Sequence, residues 1–133
     1  RHTMNPVIAL KLEEPVIACG TPGADTQVQT NLQLLTHALH FGMTPQEAVE
    51  TPRWRSLQNP MESTVPHTCE DLLQLEGRFG VPVRKGLEKK GHVLEILDDW
   101  DGPGNAQFIQ RKPESGVLMA GVDPRRDGYA LAY

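Results

Sequence analysis

Apolar and polar positions alternate in blocks that predict strands, then helices, then strands. Pro6-Val7-Ile8-Ala9-Leu10 and Pro15-Val16-Ile17-Ala18-Cys19 are two short apolar runs separated by the polar stretch Lys11 to Glu14. Runs this short read as strands, and the brief connection predicts an antiparallel hairpin. Because both runs are nearly continuous in apolar residues, they predict strands covered on both faces. The segment Gly20-Thr21-Pro22-Gly23-Ala24-Asp25-Thr26 cannot prolong the second strand, since Pro22 lacks an N–H and the glycines admit unusual backbone angles. Beyond it Val28, Leu32, Leu35 and Leu39 recur at spacings of four, three and four, the stripe of an amphipathic helix that Gly42 stops.

Thr44-Pro45-Gln46-Glu47 carries the marks of a second helix start. Thr44 can cap it, Pro45 fits the first position, Glu47 can return a bond, and Pro52 ends the helix. Arg53 to Gln58 reads as a short strand and Asn59 to Glu70 as a loop. Leu72, Leu73 and Leu75 predict a brief strand, Val83 to Gly91 a helix weakened by Gly86, and His92 to Leu97 another strand. Trp100 to Gly104 is rich in turn residues. Ala106 to Gln110 and Val117 to Gly121 then read as strands joined by a turn at Lys112 to Gly116. With no internal repeat or linker, this order predicts an α+β layered domain.

The length of 133 residues admits one domain and not two. The apolar share of 38% and charged share of 23% are those of a globular chain. A net charge of -4, with cations scattered along the sequence, gives no basis for a nucleic-acid or membrane partner. No apolar stretch reaches the ~18 residues of a spanning helix. The first residue is Arg, which predicts a chain that does not begin where a gene begins, so the lack of a leader leaves its destination open. Cys19, inside an apolar run, reads as a small buried residue. Cys69 lies in a polar stretch beside His67, and a Cys19–Cys69 disulfide is left open.

Few positions carry chemistry. A Gly-rich turn that opens a helix presents backbone N–H groups unsatisfied within the helix, where an anion or an oxyanion can bind. Many such turns serve geometry only, and no Gly-Lys-Ser/Thr ending marks a P-loop. His2 and Thr3 are adjacent and point apart in an extended chain, so they do not read as a base and nucleophile. His37 and His40 share a helix face but lack a third ligand, so no metal or cofactor is expected. Asp98, Asp99 and Asp101 read as a solvated loop without the ligand alternation of a calcium site. Arg125-Arg126-Asp127 reads as a turn or ion pair anchoring the C-terminal segment.

Several of these stretches, in order, resemble the gamma-glutamyltranspeptidase family. Arg1-His2-Thr3-Met4-Asn5-Pro6 followed by a strand resembles the family's pair of small polar residues, Met, Ser or Asn, and Pro. Gly20-Thr21-Pro22-Gly23-Ala24 resembles its Gly-Ser-Pro-Gly-Gly. Glu47-Ala48 through Thr51-Pro52-Arg53, Asn105-Ala106-Gln107, and Gly121-Val122-Asp123-Pro124-Arg125 through Tyr133 match further segments.

The resemblance implies that residues 1–133 are the C-terminal segment of a small subunit, an incomplete domain. It implies a fold class of α+β, part of an N-terminal-nucleophile hydrolase αββα sandwich with antiparallel strands and two or three helices. It implies self-cleavage of a precursor, and γ-glutamyl transfer from glutathione and similar amides to water, an amino acid or a peptide. Gly23 and Ala24 match the paired glycines whose backbone N–H groups form the oxyanion hole. His2 and Thr3 match the residues that hold the donor's α-carboxylate, His2 being a departure from the pattern. The nucleophilic Thr, an Asp for the α-amino group and an Arg for the α-carboxylate are implied upstream, so the isolated chain is expected to be inactive. A related glutaryl or cephalosporin-type acylase and a non-catalytic fragment are the alternatives. Bacterial relatives in the family are often periplasmic or secreted, which leaves localisation open.

Overall fold

The computed structural model describes residues 5–58 and 69–131. The chain packs as two compact units, one made of residues 1–51 and 104–133, the other of Pro52–Pro103.

The first unit is a four-stranded antiparallel sheet with helices on one face. Its strands are β1 (Val7–Lys11), β2 (Glu14–Gly20), β6 (Gln107–Arg111) and β7 (Leu118–Val122), hydrogen-bonded in the order β1-β2-β6-β7. The expected hairpin is present. Its two loop residues, Leu12 and Glu13, have φ of 50° and 67°, the left-handed pair that a tight hairpin turn requires. The register shifts between Ala9 and Leu10: Ala9 faces Ile17 while Leu10 faces Pro15, which leaves Val16 as the extra residue of a bulge.

Alternation along the strands sends Ile17, Cys19 and Phe108 to the helix side. There they meet Leu34, Ala38, Val49 and Ala106 in one buried cluster. The other side of the sheet carries Ile8, Ala18, Ile109 and Ala120 in direct cross-strand register, with Leu10 and Leu118 nearby. This side is bare: Ile8 is 67% exposed and Ile109 47%. Strands covered on both faces were expected; among the described residues only one face is covered.

The helices are α1 (Gln27–Leu39), entered through a single 3₁₀ turn at Ala24–Thr26, and α2 (Pro45–Glu50). The helix α1 forms as its periodicity predicts, but turned about its axis. Its buried residues are Gln27, Thr30, Asn31, Gln33, Leu34 and Ala38, while Val28, Leu32 and Leu39 face outward, Leu39 at 62% exposure. At 3.6 residues per turn the apolar stripe lies roughly 110° from the face that meets the sheet. The core side of α1 is therefore largely polar and small, which a hydrophobicity pattern assigns to solvent.

The start of α2 is as the sequence predicts. Thr44 N–H donates to Glu47 Oε2 at 2.8 Å, and Glu47 N–H reaches back to Thr44 Oγ1 at 3.4 Å. The Thr44 backbone bond, then its hydroxyl, hold the Glu47 carboxyl below its ordinary range. Gln46 pairs with the strand alongside: its Oε1 accepts from Val122 N–H at 3.0 Å and its Nε2 donates to Val122 O at 3.1 Å. This close approach explains Gly121. A Cβ there would collide with the Pro45 carbonyl and lie 2.7 Å from Gln46 N. Backbone cannot yield as a flexible side chain does, so Gly121→Ala should destabilise the protein by about 2 kcal/mol. A fall in the urea midpoint checks this.

The second unit contains β3 (Trp54–Ser56), β4 (Leu73–Glu76), α3 (Val81–Lys89) and β5 (Leu94–Leu97), with sheet order β3-β4-β5. The β3–β4 pair is antiparallel, but β4 and β5 are parallel, with α3 as the crossover between them. Only antiparallel pairing was expected; a helix between two strands was the signal for the parallel one. Glu76 is fully buried beneath three donors: Arg53 N–H at 3.1 Å, Gly102 N–H at 2.9 Å and Arg78 Nη2 at 2.5 Å. The Arg78 guanidinium carbon also lies 3.4 Å above the Trp100 ring, so the acidic loop at Asp98–Asp101 is fastened by a cation. Arg53, 1% exposed, donates from Nη1 to Pro103 O at 2.8 Å and closes the neck where the chain enters and leaves this unit.

Both cysteines are free. Burial pushes the Cys19 thiol up to about 11, whereas Cys69 is exposed. Iodoacetamide at mildly alkaline pH should therefore label Cys69 and spare Cys19 until the protein is denatured, as peptide mapping would show.

Candidate functional site

One end of the four-stranded sheet gathers the features that the sequence singles out. The start of β1, the end of β2, the start of β6 and the first turn of α1 meet there around an open groove of about 620 Å³. Asn5, Ile8, Ala18, Gly20, Thr21 and Gln107 are among its lining residues. Ile8, Ala18 and Ile109 bring the bare apolar side of the sheet to the groove, and Asn5, Thr21, Asn105 and Gln107 add polar groups.

The turn from β2 into α1 begins at Thr21 and Pro22 on the groove wall. Gly23 has φ 139° and Ala24 φ 46°, both in the region that favours glycine. For Gly23 the reason is local: a Cβ would run into Thr26 Oγ1. Thr26 donates to Gly23 O twice, from its N–H at 2.9 Å and from its hydroxyl at 2.8 Å. The backbone N–H groups of Gly23 and Ala24 point away from these bonds and have no acceptor among the described residues. Both residues are exposed. Two adjacent unpartnered donors at the head of a helix can hold an anionic oxygen.

Ala24 departs from easy geometry. A residue with a Cβ at left-handed φ costs about 1 kcal/mol, so Ala24→Gly should raise stability by up to about that amount while keeping both N–H donors. Thermal unfolding tests the gain.

His2 and Thr3, the expected carboxylate contacts, lie outside the described residues, as does His67. Asn5 is the first described residue, and its carbonyl accepts from Asn31 Nδ2 at 2.7 Å. Asn31 is a residue of this region that pattern reasoning missed; Thr21 and Asn105 lie in stretches that carry the resemblance, but without a role of their own. Asn105 N–H donates to Thr21 Oγ1 at 2.9 Å, and that hydroxyl donates to Pro22 O at 2.8 Å. Gln27 and Asn31 lie on the same helical stripe as Leu34 and Ala38, and that mixed stripe was the available signal for Asn31.

Other candidates fall elsewhere. His37 Nδ1 lies 3.4 Å from Ala48 O, and the His40 ring packs edge-on against Phe41. Among the described residues no group of three or more His, Cys, Asp or Glu is placed to hold a metal ion. No helix among them is long and apolar enough to cross a membrane. The second unit has its own cleft of about 300 Å³, lined mainly by apolar residues such as Trp54, Leu75, Phe79 and Val93, with Asp71 and His92 also on its walls.

The sequence model of the family described as Gamma-glutamyltranspeptidase matches residues 1–133, the whole chain. The chain belongs to the gamma-glutamyltranspeptidase family. The glutathione hydrolase-like YwrD proenzyme of Bacillus subtilis is 34% identical over 98% of the chain and 24% of that protein. The oxamate amidohydrolase proenzyme of Klebsiella pneumoniae is 35% identical over 99% of the chain and 24% of that protein. Among solved structures, the cephalosporin acylase from Bacillus halodurans superposes with a TM-score of 0.82 at 30% identity, covering 96% of this chain and 22% of that one. The chain thus spans about a quarter of the length of the curated relatives it matches. The expected fold class holds: an α+β member of the gamma-glutamyltranspeptidase and cephalosporin acylase fold, the N-terminal-nucleophile hydrolase type.

Proposed function

We propose that this chain is the C-terminal segment of a small subunit in a self-cleaving γ-glutamyl acyltransferase or hydrolase, and that it supplies the oxyanion hole. The observation that carries this is the pair of N–H groups at the exposed residues Gly23 and Ala24, which have no acceptor among the described residues and directly follow Thr21 and Pro22 on the groove wall. The nucleophilic Thr, the Asp for the donor's α-amino group and the Arg for its α-carboxylate lie in the rest of the precursor. His2 and Thr3 add donor-carboxylate contacts.

In this reading the Thr hydroxyl attacks the γ-amide carbon, and its proton passes to the nucleophile's own amino group. Negative charge develops on the carbonyl oxygen, toward which the Gly23 and Ala24 N–H groups point. The C–N bond breaks and the leaving amine takes that proton, leaving a γ-glutamyl ester. Water, or the amine of an amino acid or peptide, then attacks the ester and regenerates the hydroxyl. No metal or cofactor takes part.

The bare face of Ile8, Ala18, Ile109 and Ala120 fits the same reading. The remaining segments of the precursor cover it, as expected for a chain that matches a quarter of its relatives. Glutathione is the expected donor. A second donor class is favoured by particular observations: the similarity to an oxamate amidohydrolase and a cephalosporin acylase, and the methyl group of Ala24 beside the oxyanion site. On that reading the acyl group is a shorter or glutaryl carboxylate.

The test is chromophore release from γ-glutamyl-4-nitroanilide and glutaryl-4-nitroanilide, and ammonia release from oxamate, by the full-length product, with residues 1–133 alone as control. Preference for the γ-glutamyl anilide supports the first reading, and preference for either other substrate the second. Activity in residues 1–133 alone would overturn the account of a nucleophile elsewhere.

A further inference from the structure

The Gly23 and Ala24 N–H groups can serve an oxyanion only if their two peptide planes are held still. A peptide unit is planar and trans, so its C=O and N–H point in opposite directions, and fixing one aims the other. The Gly23 N–H belongs to the plane of the Pro22 carbonyl, and the Ala24 N–H to the plane of the Gly23 carbonyl. Each of these carbonyls accepts from a different threonine hydroxyl: Pro22 O from Thr21 Oγ1 at 2.8 Å, and Gly23 O from Thr26 Oγ1 at 2.8 Å. Both threonines are more than nine-tenths buried, at 7% and 8% exposure.

We infer that Thr21 and Thr26 are positioning residues, each aiming one of the two N–H groups by clamping the carbonyl on the far side of its peptide plane. The two clamps differ in strength. The Thr21 hydroxyl accepts from Asn105 N–H at 2.9 Å, which occupies its oxygen and commits its only proton to Pro22 O. That bond also ties the turn to the chain leading into β6, so among the described residues Thr21 is the hydroxyl that links the Gly23 peptide plane to the sheet. The Gly23 carbonyl has a reserve, because the Thr26 backbone N–H donates to it as well, at 2.9 Å. Loss of the Thr21 hydroxyl should therefore cost more than loss of the Thr26 hydroxyl. Each valine keeps the threonine's shape, so the buried volume is unchanged and only the hydrogen bond is lost.

This inference rests on the proposed acyl-transfer reading, and its test keeps the two apart. The full-length enzyme is prepared with Thr21→Val, Thr21→Ser, Thr26→Val and Thr26→Ser, and turnover of the anilide that the wild type hydrolyses is measured per titrated active site. Thr21→Val should lower kcat about tenfold or more with KM within about twofold, the signature of a misaimed transition-state donor. Thr26→Val should lower kcat by about threefold, since one donor remains. Both serine variants should restore kcat, because they return the hydroxyl. A Thr21→Val enzyme with wild-type kcat, or a Thr21→Ser enzyme as impaired as the valine, overturns the inference. A lowered melting temperature with unchanged kcat per site would mark a purely structural role and overturn it too. If the wild type hydrolyses neither anilide, the donor reading fails instead, and a crystal structure of the full-length Thr21→Val protein decides. A Pro22–Gly23 peptide rotated from its present plane supports the clamp, and one left in place overturns it.

Discussion

Arg125→Ala should destabilise the full-length protein by about 3–5 kcal/mol, the range seen when one partner of a buried ion pair is removed. Asp123 is fully buried, and Arg125 Nη1 lies 3.0 Å from its Oδ1 with only 1% of the arginine side chain exposed. The other carboxylate oxygen accepts Ala106 N–H at 2.8 Å. Arg125 also donates to Val49 O at 2.8 Å and Thr51 O at 3.0 Å, the carbonyls at the C-terminal end of α2. One guanidinium therefore neutralises a buried carboxylate and caps a helix, where its charge also suits the dipole. Alanine would remove the positive charge that faces the buried Asp123 carboxylate, together with the guanidinium bonds to those two carbonyls. Arg125→Lys keeps the charge but lacks the fork that reaches all three acceptors, so it should fall between wild type and alanine. Urea unfolding gives the comparison. A loss below about 1 kcal/mol for Arg125→Ala would put the pair among exposed ion pairs and contradict its burial.

The second large effect is on turnover. On the acyl-transfer reading proposed above, Gly23→Ala should lower kcat about 10²–10³-fold, the loss expected when one oxyanion donor is removed. At φ 139° a side chain is poorly tolerated, and the new Cβ would meet Thr26 Oγ1, a group that itself holds Gly23 O. Relief requires the turn to rotate, which swings both N–H groups off target. Ala24→Gly is the matched comparison, since it relaxes its backbone without adding atoms and keeps both N–H donors. Measuring both on the self-processed enzyme separates donor geometry from stability. Equal kcat in Gly23→Ala and wild type would remove the turn from the reaction.

Much of this was legible in the sequence, and the gaps have physical causes. The Thr44 to Glu47 capping box was readable because its bonds are local, made by residues three apart. The β1–β2 hairpin was readable for the same reason, although Leu12 and Glu13 are not residues that announce a left-handed turn. The face of α1 was not readable. Val28, Leu32 and Leu39 mark where apolar side chains recur, not where this chain supplies a neighbour for them. A periodicity reading assumes that the segment in hand buries its own apolar stripe, and a quarter-length chain breaks that assumption for both α1 and the sheet. The Gly23–Ala24 turn was visible as a motif, but the hydroxyls that aim it were not. Thr21 and Asn105 are 84 positions apart, and no local pattern couples them. Arg125 was read as a C-terminal anchor; its partner Asp123 is local, but the Val49 and Thr51 carbonyls are 76 and 74 positions away and come to it only once the chain is folded.

The closed neck of the second unit carries a different consequence. Arg53 Nη1 bonds to Pro103 O, and Glu76 gathers both Arg53 N–H and Gly102 N–H, so the incoming and outgoing strands of chain are stitched together at their base. To the four-stranded sheet, residues 52–103 are then equivalent to one long loop with fixed ends. Evolution can lengthen, shorten or exchange such a cassette without shifting the pairing of Gly20 with Gln107 that sets the β2–β6 register. A bioengineer seeking a place to splice a foreign module into this family would cut at the same two points, just outside Arg53 and Pro103.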